Sequence, residues 1–131
     1  MNKTIFSELV RFAGVGVANT LLDFCIFLIM IRLLDASLVA SNFVAWSVAF
    51  TFSYFVNGRG TFRRSWNDLF APMSYLRVAS ANLLSFGLAT TVLVLLSMRV
   101  PLALAKGVSL VFGFLTNFSI AKYLIGRGRG Y

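Results

Sequence analysis

The sequence predicts an all-α integral membrane protein: four transmembrane helices in one domain, residues 1–131, with both termini in the cytoplasm. Three observations predict it. The chain is 131 residues long, 59% hydrophobic and 12% charged, about half the charge of an ordinary soluble domain. Formal charges leave two long gaps, 23 residues between Asp35 and Arg59 and 21 between Arg77 and Arg99; about 20 apolar residues cross the hydrocarbon core as a helix. Lysines and arginines also collect at alternate ends of the apolar runs, as membrane topology requires.

The first span covers about residues 12–34. Its apolar run from Phe12 to Ile31 is interrupted by Asp23. It is too long for the hydrophobic region of a signal peptide, and no small-x-small cleavage site follows it. The short turn Leu33–Ser37 leads into a second span at about 37–57, which ends in FVNGRGTFRR (Phe55–Arg64). In the connection at 59–76, Ser65-x-x-Asp68 resembles a capping box with Asp in place of Glu. Trp66, Leu69, Phe70 and Met73 follow at helical spacing, with Pro72 as a break or restart. The expectation is a short amphipathic segment in the interface; the alternative is the first turn of an extended third helix. The third span covers about 77–98, a turn lies at Arg99-Val100-Pro101, and the fourth span covers about 102–125. Lys106 and Lys122 sit near its ends, where long side chains can snorkel to the interface.

Orientation follows from the cations. The N-terminal segment, the central connection and the C-terminal tail hold Lys3, Arg11, Arg59, Arg63, Arg64, Arg77, Lys122, Arg127 and Arg129; the other side holds Arg32, Arg99 and Lys106. Nine against three places the richer side in the cytoplasm. A diverged repeat accompanies this pattern. Arg11 is followed by Asn19 and LLDF, and Arg77 by Asn82 and LLSF. Two hairpins of the same sense would make a parallel repeat about an axis along the membrane normal; the alternative is that two hairpins of this size look alike simply because both are membrane helices.

The net charge of +8 is spread over the ends of apolar runs, whereas a nucleic-acid-binding face needs a continuous basic patch. No nucleic-acid partner is expected. With no histidine and one cysteine, Cys25, an internal disulfide is impossible and Cys25 is expected to be inert packing. No metal, nucleotide or cofactor motif is visible, and four acidic residues spread along the chain offer no catalytic constellation. An enzyme is not expected.

The polar residues within the spans carry the chemistry. Asp23 lies about 18 Å along the helix from Arg11 and about 14 Å from Arg32, near mid-membrane. An Asp there costs about 2.5–3.5 kcal/mol to insert, which requires an interior position and a partner or a function. Gly16, Asn19, Thr20 and Asp23 fall at i, i+3, i+4 and i+7. Small and polar residues on one face often serve only as helix glue; Asp23 on that face tips the balance to function. Ser47, Thr51 and Tyr54 repeat the spacing in the second span and lead to Asn57 and Arg59. Asn82, Ser85, Ser109, Thr116 and Asn117 lie in the last two spans. Hydroxyls and amides in a dry interior, with arginines at one mouth, suit a ligand carrying an anion and several hydroxyls. Arg59 can present a planar fork to a phosphate, while topology alone accounts for Arg63 and Arg64.

These residues resemble a family. RFAGVGVANTLLDF (Arg11–Phe24), FVNGRGTF (Phe55–Phe62) and Asn117-Phe118 with Lys122 are similar to motifs of the GtrA-like family of small four-helix membrane proteins, over about Glu8–Ile125. Gly60 stands where that family usually has tryptophan, Gly58 where a basic residue is common, and Ser53 where an asparagine is usual. The resemblance implies flipping of a polyprenyl-phosphate-linked monosaccharide across the inner (cytoplasmic) membrane for cell-envelope polysaccharide glycosylation, beside a partner glycosyltransferase. It implies no cofactor. It carries over Arg11, Asn19, Asp23, Asn57, Arg59, Thr61, Phe62, Asn117 and Lys122 as substrate-binding candidates, to which the residue pattern adds Thr51 and Tyr54. Other membrane lipids would contact the outer faces. Four short helices enclose little volume, so a homo-oligomer is expected. The competing classes are a small multidrug-resistance-type proton-coupled exporter, disfavoured by the charge bias, and an anchor recruiting a glycosyltransferase through the basic connection.

Overall fold

A computed structural model describes residues 3–61 and 63–127, with side chains apart from those at 3–5, 8, 9, 61 and 117–127. Every regular element among the described residues is helical. Five helices follow in order: α1 (Lys3–Leu33), α2 (Leu38–Val56), α3 (Trp66–Phe70), α4 (Pro72–Ser97) and α5 (Leu102–Arg127), with one wide π turn, Asn57–Thr61, after α2. Three apolar stretches are long enough to span a bilayer, Val10–Leu33, Leu38–Gly60 and Pro72–Ser97; Leu102–Thr116 in α5 is a shorter one. The protein is a multi-pass, all-α membrane protein.

The chain forms two compact units, Met1–Ser80 and Ala81–Tyr131. In the first, α1 and α2 make an antiparallel hairpin. Its turn closes by Ala36 N–H donating to the Met30 carbonyl at 3.1 Å, with Asp35 at φ 48°, a left-handed conformation that Asp tolerates better than most residues. Ser37 caps α2, its hydroxyl accepting from Ala40 N–H at 3.4 Å. The buried face of α2 carries Ser41, Ala45 and Ala49, four residues apart, and α1 buries Asp23 and Phe27. Small side chains let membrane helices approach closely, so dispersion contacts replace the hydrophobic drive that lipid cannot supply.

The charged end of this unit is tightly folded. Asn57 N–H lies over both the Ser53 and Tyr54 carbonyls, where the helix widens into the π turn. Gly58 leaves room there: a Cβ would meet the tip of the Leu69 side chain and force it to shift, and Leu69 is fully buried. Ser65 caps α3 by accepting from Asp68 N–H at 3.2 Å, as the sequence suggests, leaving Trp66 and Phe70 exposed. α4 then starts at Pro72, where the missing N–H costs nothing. The helix thus restarts five residues before the expected third span.

In the second unit, Arg99 and Val100 N–H both donate to the Leu96 carbonyl at 2.9 Å, and α5 begins after Pro101. A Cβ on Gly113 would lie 3.1 Å from that of Ala89, which marks a close pass of α4 and α5. Lys106 is 1% exposed, so it is buried rather than snorkelling. Cys25 is exposed: it faces outward from the hairpin instead of packing within it.

Candidate functional site

The candidate site is built from α1, α2, the π turn and the start of α4. Arg11 Nη1 donates to the Gly60 carbonyl at 3.4 Å, tying the first span to the end of the second. Together with the turn at Asp35–Ala36, this contact means that α1 and α2 residues whose numbers sum to about 71 share a depth. Asn19 and Asp23 therefore lie at the depth of the Ser47–Ser53 segment. Two of the four α1 residues expected on one face turn inward: Asp23 is 5% exposed and Asn19 half-buried. The other two face outward. Thr20 is exposed and its hydroxyl donates to its own helix, at the Gly16 carbonyl, 3.0 Å away. The Asn19 side-chain oxygen, Oδ1, is enclosed and accepts no hydrogen bond among the described residues.

On α2 the polar stripe runs through Ser47, Thr51 and Tyr54, and the last two meet Tyr75 in the first turn of α4. Thr51 Oγ1 lies 2.7 Å from the Ser47 carbonyl and 2.8 Å from the Tyr75 hydroxyl. One hydroxyl can donate to the carbonyl while accepting from the tyrosine. Tyr75 also meets the rings of Phe50 and Tyr54 edge-on, at centroid distances of 5.4 and 5.2 Å. Asn57 is buried and donates from Nδ2 to Ser53 Oγ at 3.2 Å. Tyr54 is 8% exposed, and its hydroxyl has no hydrogen-bond partner among the described residues.

The mouth arginines play different parts. Arg59 is exposed; its Nη1 donates to the Arg64 carbonyl at 3.2 Å and its guanidinium lies 5.6 Å over the Trp66 ring. Arg63 is exposed and adopts φ 53°. Arg64, half-buried, turns the opposite way. Its N–H donates to the Gly58 carbonyl at 2.8 Å, its Nη2 donates to Ser74 Oγ, and its Cζ lies 5.9 Å over the Tyr54 ring.

The structure thus gathers Thr51, Tyr54, Asn57, Arg59 and Arg11 toward one end of the first unit, with Asn19 and Asp23 deeper. The Thr61 side chain, Phe62 and the side chains of Asn117 and Lys122 lie outside the described residues. In the second unit Ser85 is buried, while Ser109 and Thr116 donate to their own helix at Lys106 and Phe112. Two neighbours of the candidates escape the sequence reading, Ser74 and Tyr75, and Arg64, expected there to serve topology alone, lies beside them. A helix restart at Pro72 was the available signal, because it brings residues 74 and 75 back over the end of α2.

Residues 11–125 match the family model of the GtrA/DPMS transmembrane domain. Over 56 residues the chain is 38% identical to the bactoprenol-linked glucose translocases of Shigella phages SfII and SfV, a stretch that covers 43% of this chain and 47% of each of theirs. The aligned part is therefore about half the length of those relatives. No solved structure matches the chain.

Proposed function

Because the chain belongs to the GtrA/DPMS transmembrane domain family, we propose that it flips a polyprenyl-phosphate-linked monosaccharide across the inner membrane. A separate glycosyltransferase makes that lipid on the cytoplasmic side. The observation that carries the proposal is the joining of a basic mouth to a polar interior within one apolar hairpin. Arg11, Arg59 and Arg64 cluster at the end where Arg11 meets Gly60. Asn19, Asp23, Thr51 and Tyr54 continue inward from it, half-buried or buried.

Each part of the ligand has a physical counterpart. The phosphate meets guanidinium groups, which hold phosphate oxygens through paired, charge-assisted hydrogen bonds. The sugar hydroxyls meet amide, carboxylate and hydroxyl groups that replace their hydration while the head group passes the hydrocarbon region. The polyprenyl tail stays in lipid against exposed apolar side chains such as Phe43, Phe52 and Leu21. No bond of the sugar lipid is made or broken, so the role is transport rather than catalysis. The protein works as a homo-oligomer, with the lipid path within or between protomers.

The test is made in cells producing a polyprenyl-phosphate glucose synthase. Addition of this protein should raise the share of glucose lipid accessible to an impermeant oxidant from outside, while total glucose lipid stays constant. An unchanged accessible share, with the protein inserted at normal levels, would refute the proposal.

A further inference from the structure

We propose that Tyr54, Arg64 and Ser74, at the N-terminal end of α4, form a subsite for a phosphate group, with Arg59 as a positioning residue. This deepens the translocation reading and rests on it for the source of the phosphate.

The described partners of the Arg64 side chain are a hydroxyl and an aromatic face; among the described residues neither is a carboxylate. A half-buried guanidinium in such surroundings is short of negative charge, and an anion would supply it. The Tyr54 ring lies directly beneath that guanidinium, and its enclosed hydroxyl lacks a partner among the described residues. A buried donor left unmade is costly to keep, yet one hydrogen bond to a phosphate oxygen would satisfy it. α4 is 26 residues long and has no acidic residue in its first turn, so its positive dipole end also favours an anion. The adjoining Thr51–Tyr75 pair is already satisfied at 2.8 Å and forms a wall. Ser74 holds the Arg64 fork in place and would exchange its contact for a phosphate oxygen.

Arg59 plays the supporting part. Its guanidinium is occupied by the Arg64 carbonyl and the Trp66 face, so it fixes the backbone from which Arg64 turns inward. The residue before it, Arg63, is left-handed, at φ 53°.

The full chain, in phosphatidylcholine nanodiscs, is titrated with farnesyl-phosphate-linked glucose and with farnesyl glucoside lacking the phosphate. The parent should prefer the phosphate ligand. Tyr54→Phe should weaken its binding by about ten-fold or more, the scale of one hydrogen bond to a charged group, and should raise or preserve the thermal midpoint by removing the unpartnered hydroxyl. Arg64→Lys should lose at least as much, because a point charge cannot replace the fork. Arg63→Lys should bind as the parent does. Affinity unchanged in Tyr54→Phe and Arg64→Lys, with the parent still selecting phosphate, would overturn the subsite and leave translocation standing. If phosphatidylglycerol in the nanodisc competes as well as the glucose lipid, and both variants abolish that competition, the subsite stands and its ligand is lipid phosphate in general. The translocation reading then fails. No preference for phosphate in the parent would overturn both.

Discussion

Asp23 has the largest insertion cost among the described α1 residues, about 2.5–3.5 kcal/mol near the centre of a membrane helix, and it is 5% exposed. Asparagine keeps its shape and hydrogen-bonding capacity while removing the charge. Asp23→Asn is therefore expected to insert and fold, and to lower glucose-lipid translocation at least about ten-fold, the effect of losing one charge-assisted hydrogen bond. Normal translocation by the variant would reduce Asp23 to helix packing. The two tyrosines over the mouth separate by sign. Tyr75 shares a hydrogen bond with Thr51, so Tyr75→Phe should destabilise the detergent-solubilised protein by about 0.6–1.7 kcal/mol. Tyr54→Phe loses no hydrogen bond recorded among the described residues. Thermal unfolding of the two variants side by side checks this: a lower midpoint for Tyr75→Phe only is expected, and equal losses would contradict the assignment.

Among the elements, the π turn sets the geometry of the mouth. It works because Gly58 lets Leu69 of α3 lie against the backbone. Gly58→Ala forces that side chain away, an overpacking that costs about 1–3 kcal/mol. Leu69→Ala alone should also destabilise, by leaving a cavity. The double variant should then be more stable than the sum of the two single losses, because the shortened side chain no longer meets the new Cβ. Strict additivity in thermal unfolding would show that the contact does not control the turn. Much of this was legible in the sequence: Ser65 and Asp68 announced the start of α3, and Pro72 the restart of α4. The inward turn of Arg64 was not. Two adjacent arginines look alike as letters, and what distinguishes Arg64 is its contact with Ser74 and with the Tyr54 ring, each ten residues away in sequence. The Thr51–Tyr75 bond was hidden for a related reason, since residues 24 apart meet only through the path of the intervening turn. On α1, periodicity put Gly16 and Thr20 on the same face as Asp23, but that face is wide. Burial divides it, and Thr20 satisfies its hydroxyl on its own helix.

For the molecule as a whole, charge-free runs read from the sequence located the apolar helices, because the bilayer imposes length and apolarity on any helical span. Sidedness rests on the nine-to-three distribution of cations. In a Cys25→Ala background, Ala36→Cys should react with an impermeant maleimide from outside the cell and Trp66→Cys should not. Equal labelling would mean dual insertion and would favour a proton-coupled exporter.

The central claim is tested most directly with the purified chain in sealed phosphatidylcholine vesicles containing a fluorescent polyprenyl-phosphate glucose in both leaflets. An impermeant quencher in protein-free vesicles reaches about half of the label, the outer-leaflet share, because a charged head group does not cross the hydrocarbon core unaided. With this protein, quenching should run nearly to completion, and Arg64→Lys, reconstituted at the same density, should slow the second half. Quenching that stops at the protein-free level, in vesicles shown to contain correctly folded protein, would contradict the account.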